Sequence, residues 1–163
     1  MREFFRFPDP ANEVAARLVA GGVVMLSVAT LATQERWLIA VLAFGFVARV
    51  LTGPRVSPLA LFVTRVLVPA LPWQERPTPG LPKRFAQGIG ATLSLAAVVL
   101  AFGFGANVAA LVLVGAILGA ASLEAFLGFC LGCKIFMLLM RAGIIPETVC
   151  ESCVDITRRR SLA

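Results

Sequence analysis

The chain contains no histidine and no tyrosine, and only 15% of its 163 residues are charged. The absence of imidazole excludes histidine–metal centres, Ser-His-Asp triads and the usual proton shuttle of acid–base enzymes. Soluble domains carry about 25% charged residues. With 59% hydrophobic residues and a mean hydropathy of +0.89, a soluble fold would expose an apolar surface prone to aggregation. We therefore expect a single-domain, all-α integral membrane protein.

Four apolar segments predict a four-helix membrane bundle, because about 20 residues cross a bilayer at about 1.5 Å per residue. The predicted spans cover residues 14–34, 37–51, 85–104 and 107–127. The second is short, so a re-entrant or surface helix remains an alternative there. Asp9 and Pro10 are expected to begin the first helix. Gly115 and Gly119 form a small-xxx-small pair, which predicts close packing of the fourth span on a neighbour.

The segment between the second and third spans predicts a helix of a different kind. Residues 57–68 form a short apolar stretch that carries Arg65 and is followed by Pro69. This stretch is too short to span, and we expect it to lie along the membrane interface. The proline-rich stretch 70–84 is expected to be a loop without regular structure.

The distribution of positive charge predicts the orientation. Four spans place 14 of the 15 lysines and arginines on the side of both termini. Such an excess marks the cytoplasmic side, so we expect an inner-membrane protein with cytoplasmic termini. The basic residues are scattered apart from Arg158-Arg159-Arg160, which suits lipid headgroups rather than nucleic acid.

The four cysteines form two pairs, Cys130-x2-Cys133 and Cys150-x2-Cys153, both on the predicted cytoplasmic side. Cytosolic thiols are kept reduced, which disfavours a permanent structural disulfide. Residues 128–158 are expected to fold as a cysteine-containing helical hairpin. That hairpin would bring the four sulfurs together as ligands for zinc or an iron–sulfur cluster.

A working dithiol is the other hypothesis for the cysteines. Lys134 follows Cys133 directly, and a helix that restarts near Gly128 would place Cys130 at its N-terminus. Both features favour a thiolate. The redox and metal hypotheses both remain open from the residues alone.

Glu124 is a carboxylate placed about one turn inside the last span, where charge is costly and commonly functional. Six residues along one helix separate it from Cys130 by about 240°, so we expect it to face away from the thiols. A structural ion pair with Arg49 or Arg17 is the preferred interpretation.

The motifs "RFAQGIG" (84–90) and "GFCLGC" (128–133) resemble those of a bacterial membrane-protein family described only as a domain of unknown function. The resemblance covers most of the chain, from about Asp9 to Arg141. It points to Arg84, Gln87, Cys130 and Cys133, and it implies a thiol-redox or sulfur-metabolism role. Arg84 and Gln87, three residues apart, are expected to share a polar helix face.

Three functions follow from these observations. The first is a thiol redox or sulfur-relay component that serves a thioredoxin- or rhodanese-like soluble partner. The second is a structural subunit held by a four-cysteine metal site. The third is an accessory subunit of a larger membrane complex that binds through its glycine-lined helix faces. The sequence assigns no reaction, and we lean towards thiol redox because the family motif contains only the first cysteine pair.

Overall fold

The computed structural model describes residues 11–71 and 77–146, and in this part of the chain helices predominate. The helices are α1 (Glu13–Thr33), α2 (Arg36–Thr52), α3 (Pro58–Ala70), α4 (Gly80–Gly103), α5 (Asn107–Leu127) and α6 (Leu131–Arg141). One antiparallel strand pair joins β1 (Ala11–Asn12) to β2 (Pro77–Thr78). The predicted all-α class is confirmed.

Four of these helices form a bundle in which α1 packs mainly on α5 and α2 on α4, while α4 also contacts α5. Small residues on α4 and α5 allow close approach: Ala97, Ala101 and Ala110 are almost fully buried. Larger side chains fill the space between the helices, among them Leu42 and Val114. The core is thus a continuous apolar layer between antiparallel neighbours.

Three helices, α1, α4 and α5, are long and apolar enough to cross a membrane, as judged by their length and composition. α2 has 17 residues, which gives about 26 Å of helix against about 30 Å of hydrocarbon. That α2 crosses the membrane therefore stays a prediction, although α2 packs within the same bundle.

The start of α4 differs from the expected boundary. The helix begins at Gly80, five residues before the predicted span and inside the stretch expected to be a loop. Pro82 falls in the first helical turn, where backbone N–H groups have no intrahelical acceptor, so the proline removes no helical hydrogen bond. The prolines that suggested a loop are therefore compatible with a helix start.

The start of α1 is also later than expected. The helix begins at Glu13, and the side-chain oxygen of Asn12 accepts a hydrogen bond from the Val14 N–H at 2.9 Å. Asn12 is therefore the capping residue. Asp9 and Pro10, expected to begin the helix, lie outside the described residues.

α3 runs past its predicted end at residue 68 and includes Pro69. A π-helical turn at Val63–Leu67 precedes the proline and alters the hydrogen-bond ladder there, which lets the helix accept a residue without N–H. α3 packs on α1, where Leu59 covers Gly22 closely enough that a Cβ on Gly22 would clash. Whether α3 lies at the membrane interface stays a prediction.

The glycine pair of α5 faces open space. An added Cβ at Gly115 or Gly119 meets no atom within 4 Å, so these glycines do not mediate packing inside the described bundle. Any role in a larger membrane complex remains a prediction.

The predicted C-terminal hairpin is described only in its first half. α6 ends at Arg141, and Gly143 adopts a positive φ of 73° just beyond it. Cys150 and Cys153, in the predicted second half, lie outside the described residues.

Candidate functional site

A helix break places the first cysteine pair. Gly128 ends α5 in a left-handed conformation, φ 66°, and its N–H bonds the Glu124 carbonyl at 3.0 Å. Cys130 then has extended backbone and is the residue immediately before α6. The Cys130 sulfur therefore sits at a helix N-terminus, a position that stabilises negative charge.

Arg17 of α1 contacts the end of α5 at the same helix break. Its guanidinium donates to the Phe126 carbonyl at 3.0 Å and to the Ala125 carbonyl at 3.3 Å. Both carbonyls belong to the last turn of α5, where helical acceptors lack partners. Arg17 therefore serves as a cap of α5 and not as the partner of Glu124.

Cys130 and Cys133 lie three residues apart at the start of α6, and both are half-buried free thiols. The Cys133 thiol donates to the Cys130 sulfur, which lowers the pKa of Cys130 below its ordinary value and raises the pKa of Cys133. Burial and the charge of Glu124 oppose the lowering at Cys130, while the positive charge of Lys83 supports it. Cys130 is thus the better nucleophile of the two.

The positive charge that acts on the thiols belongs to Lys83 and not to Lys134, the residue predicted from the sequence. Lys134 is exposed and places its ammonium 5.5 Å from the centre of the Phe129 ring, as a cation–π pair. Lys83, at the start of α4, acts on both cysteines instead. Sequence reasoning missed Lys83 because its contacts are long-range, although it directly precedes the first family motif.

Glu124 pairs with Lys83, with Oε1 and Nζ 3.2 Å apart, and the two side chains are only 16% and 10% exposed. The predicted pairing with Arg49 or Arg17 is therefore wrong in its partner. Arg49 is buried against the Phe46 ring, 4.5 Å from its centre. Its Nε and Nη1 have no hydrogen-bond acceptor among the described residues.

Glu124 also faces the thiol site, contrary to expectation. The 240° separation assumed one continuous helix from Glu124 to Cys130, whereas the chain turns at Gly128. Glu124 and Cys130 consequently line the same cavity.

The two motifs pack directly on each other through α4 and α6. A Cβ on Gly132 would lie 2.5 Å from the Ala86 Cβ and 2.6 Å from its Cα. The Phe85 and Phe136 rings contact each other in a tilted arrangement, at an angle of 57° with centroids 5.5 Å apart. The residues between the cysteines are thus fitted against the first motif, which fixes the thiol pair relative to Lys83.

The two polar residues of the first motif have separate roles. The Arg84 Nε donates to the Val50 carbonyl at 3.1 Å and so caps the last turn of α2. Gln87 turns instead towards a cavity, and its buried Oε1 has no donor among the described residues. Arg84 and Gln87 therefore do not share one polar face as expected, because Arg84 contacts α2 and Gln87 lines the cavity.

A partly open cavity of about 100 Å³ lies between α1, α4, α5 and α6. Its walls are mainly apolar, and Gln87, Glu124 and Cys130, which lie near the helix ends on one side of the bundle, are the polar side chains that line it. An apolar pocket with a few converging polar groups is the usual form of a small-molecule site.

Metal ligation is not assembled in the described part of the chain, where no three or more cysteine or acidic side chains cluster. The four-cysteine zinc or iron–sulfur hypothesis depends on Cys150 and Cys153, which lie outside it. That hypothesis stays a prediction.

The described residues form an all-α bundle with three helices long and apolar enough to cross a membrane, and a thiol pair lies at one end of it. The family model described as "Domain of unknown function (DUF4395)" matches residues 11–141, and the chain belongs to this family. The match ends at the last residue of α6. No curated protein and no solved structure matches the chain.

Proposed function

We propose that the protein is a membrane-bound thiol oxidoreductase or sulfur-relay component whose working group is the Cys130–Cys133 dithiol. The observation that carries this proposal is the placement of two half-buried free thiols three residues apart, with Cys130 immediately before α6 and Cys133 in its first turn. A thiol that is stabilised as thiolate beside a second thiol is the arrangement needed for disulfide exchange.

The exchange conserves atoms and electrons in two steps. The Cys130 thiolate attacks a disulfide of the partner, forms a mixed disulfide and releases one partner thiolate. The Cys133 thiol loses its proton and attacks the Cys130 sulfur. The intrachain disulfide forms as the second partner thiolate leaves. Two electrons pass to the partner, and the reverse sequence reduces the protein.

The charges around the site support a cytoplasmic placement. Arg17, Arg49, Lys83 and Arg84 lie near helix ends that meet at one end of the bundle, as contacts between these ends show. The positive-inside rule supports a cytoplasmic location for this end in the inner membrane. A thioredoxin- or rhodanese-like soluble protein is the partner we propose there.

Trapping the mixed disulfide tests this proposal. Cys133→Ser keeps the attacking Cys130 and removes the resolving thiol, so it should accumulate a covalent complex with the partner that dithiothreitol releases. Cys130→Ser is the matched control and should trap much less. Equal trapping by both variants, or none by Cys133→Ser in cells, would count against the exchange.

A further inference from the structure

We infer that the cavity beside Cys130 binds the ring of a membrane quinone, which accepts the electrons of the Cys130–Cys133 dithiol. This inference rests on the proposed thiol redox function and names its second substrate. The dithiol needs a two-electron acceptor or donor, and quinones are the two-electron carriers that dissolve in a membrane.

The size of the cavity limits its ligand to part of one ring. Glu124 and Ile117 both line it and lie two helical turns apart on α5, which gives a depth of about 10 Å. A closed apolar cavity of about 150 Å³ accepts benzene. The present cavity, at about 100 Å³, is smaller but partly open, so it admits the edge of a ring while the rest of the ligand extends through the opening.

The surroundings of the cavity favour a lipid-soluble ligand over a water-soluble one. Leu131 and Ile135 line the cavity and are also 44% and 39% exposed on the outer surface of α6. Both apolar side chains border the opening of the cavity. An isoprenoid tail would leave the cavity past these two side chains.

The polar side of the cavity suits the quinol form of the ligand. The Gln87 Oε1 is buried and has no donor among the described residues, a condition that buried acceptors rarely tolerate. A quinol hydroxyl supplies that donor. Cys130 borders the same space, which places the nucleophile beside the ring.

The reaction balances without a further reagent. The Cys130 thiolate adds to a carbon of the quinone ring, and the electron pair moves to a ring oxygen, which takes a proton. The Cys133 thiolate then attacks the Cys130 sulfur. The S–S bond forms and the C–S bond breaks. The released pair returns to the ring, and a second proton completes the quinol.

The experiment uses the full-length protein in detergent, reduced and freed of reductant. It is mixed with decylubiquinone, whose fully substituted ring resists stable thiol adducts. We expect one quinol per chain, formed together with a Cys130–Cys133 disulfide identified by mass spectrometry. A reduced wild-type protein that leaves decylubiquinone unreduced overturns the inference.

Variants test whether the cavity is the quinone site. Ala120→Leu fills the cavity from α5 and should slow quinone reduction at least tenfold. Ala116→Leu adds the same side chain one turn away, on the exposed face of α5, and should leave the rate unchanged. Gln87→Leu, of similar size, should raise the KM for quinone. Wild-type quinone kinetics in both Ala120→Leu and Gln87→Leu contradict the cavity assignment.

Oxidised glutathione distinguishes a failure of the quinone inference from a failure of the thiol redox function on which it rests. It is water-soluble and too large for the cavity, so all three variants should still form the disulfide with it, which also shows that they are folded. Disulfide formation with glutathione but not with quinone would refute quinone reduction and support the thiol redox function. Failure of wild-type protein with both oxidants removes both.

Discussion

Gly132→Ala tests whether the thiol pair depends on the contact between the two motifs. The new Cβ would lie 2.5 Å from the Ala86 Cβ and 2.6 Å from the Ala86 Cα. Carbon atoms rest about 3.5–4.0 Å apart, so α6 must move away from α4 by about 1 Å. Overpacking of this kind costs about 1–3 kcal/mol. Because the Ala86 Cα is itself in the way, Ala86→Gly should not rescue the variant.

Amide hydrogen exchange of α6 measures this cost, because exchange reports local opening. We expect Gly132→Ala to speed exchange in α6 by about 5- to 150-fold, since about 1.4 kcal/mol corresponds to a factor of ten. Gly88→Ala is the matched control. A Cβ there meets nothing within 4 Å, and alanine favours a helix over glycine by about 1 kcal/mol. Wild-type exchange in Gly132→Ala would refute the packing argument.

Three further predictions concern the charges and the thiols. Lys83→Met strands the Glu124 carboxylate and should lower the free energy of unfolding by about 1–3 kcal/mol, and Lys83→Met/Glu124→Gln should recover most of that loss in thermal unfolding. Equal stability of the single and double variants would contradict the pair. Cys133→Ala removes the hydrogen bond that lowers the pKa of Cys130, so iodoacetamide alkylation of Cys130 should begin at higher pH. Cys133→Ser retains a donor and should shift the profile less, and identical profiles for the two would argue against that bond. Arg84→Met frees the Val50 carbonyl and should cost about 1.5–3 kcal/mol, whereas Arg36→Met, at the exposed start of α2, should leave unfolding nearly unchanged.

Composition and apolar run length were enough to predict the all-α bundle, because helices are the simplest way to satisfy every backbone polar group in lipid. The bounds of α5 also follow from the residues: Gly105 allows the preceding turn with a φ of 65°, and Gly128 ends the helix. Local signals of this kind act within a few residues, so a sequence displays them directly.

The site could not be predicted from local sequence signals, because it depends on contacts between distant segments of the chain. Gly115 and Gly119 resemble a packing motif yet meet no neighbour, whereas Gly132 and Gly90 do, against Ala86 and the Phe46 ring. Which glycine is covered depends on how the helices rotate in the bundle. The pairing of Lys83 with Glu124 joins two distant segments for the same reason.

The error over Glu124 had a different origin. The 240° separation assumed a single helix from Glu124 to Cys130, although the sequence also allowed a helix to restart near Gly128, and the left-handed Gly128 does end α5. Glycine is the residue that most readily ends a helix in this way. A glycine two residues before a C-x2-C pair is therefore a signal that a new helix can begin beside the thiols.

A redox titration of the purified protein tests the central claim most directly. The protein is equilibrated in dithiothreitol buffers of stepped potential, alkylated and analysed by mass spectrometry. The account predicts that Cys130 and Cys133 oxidise together to one intrachain disulfide in a single two-electron transition, about 30 mV per tenfold change. Cysteines that form no disulfide at any potential, with one tightly bound metal per chain, would contradict it.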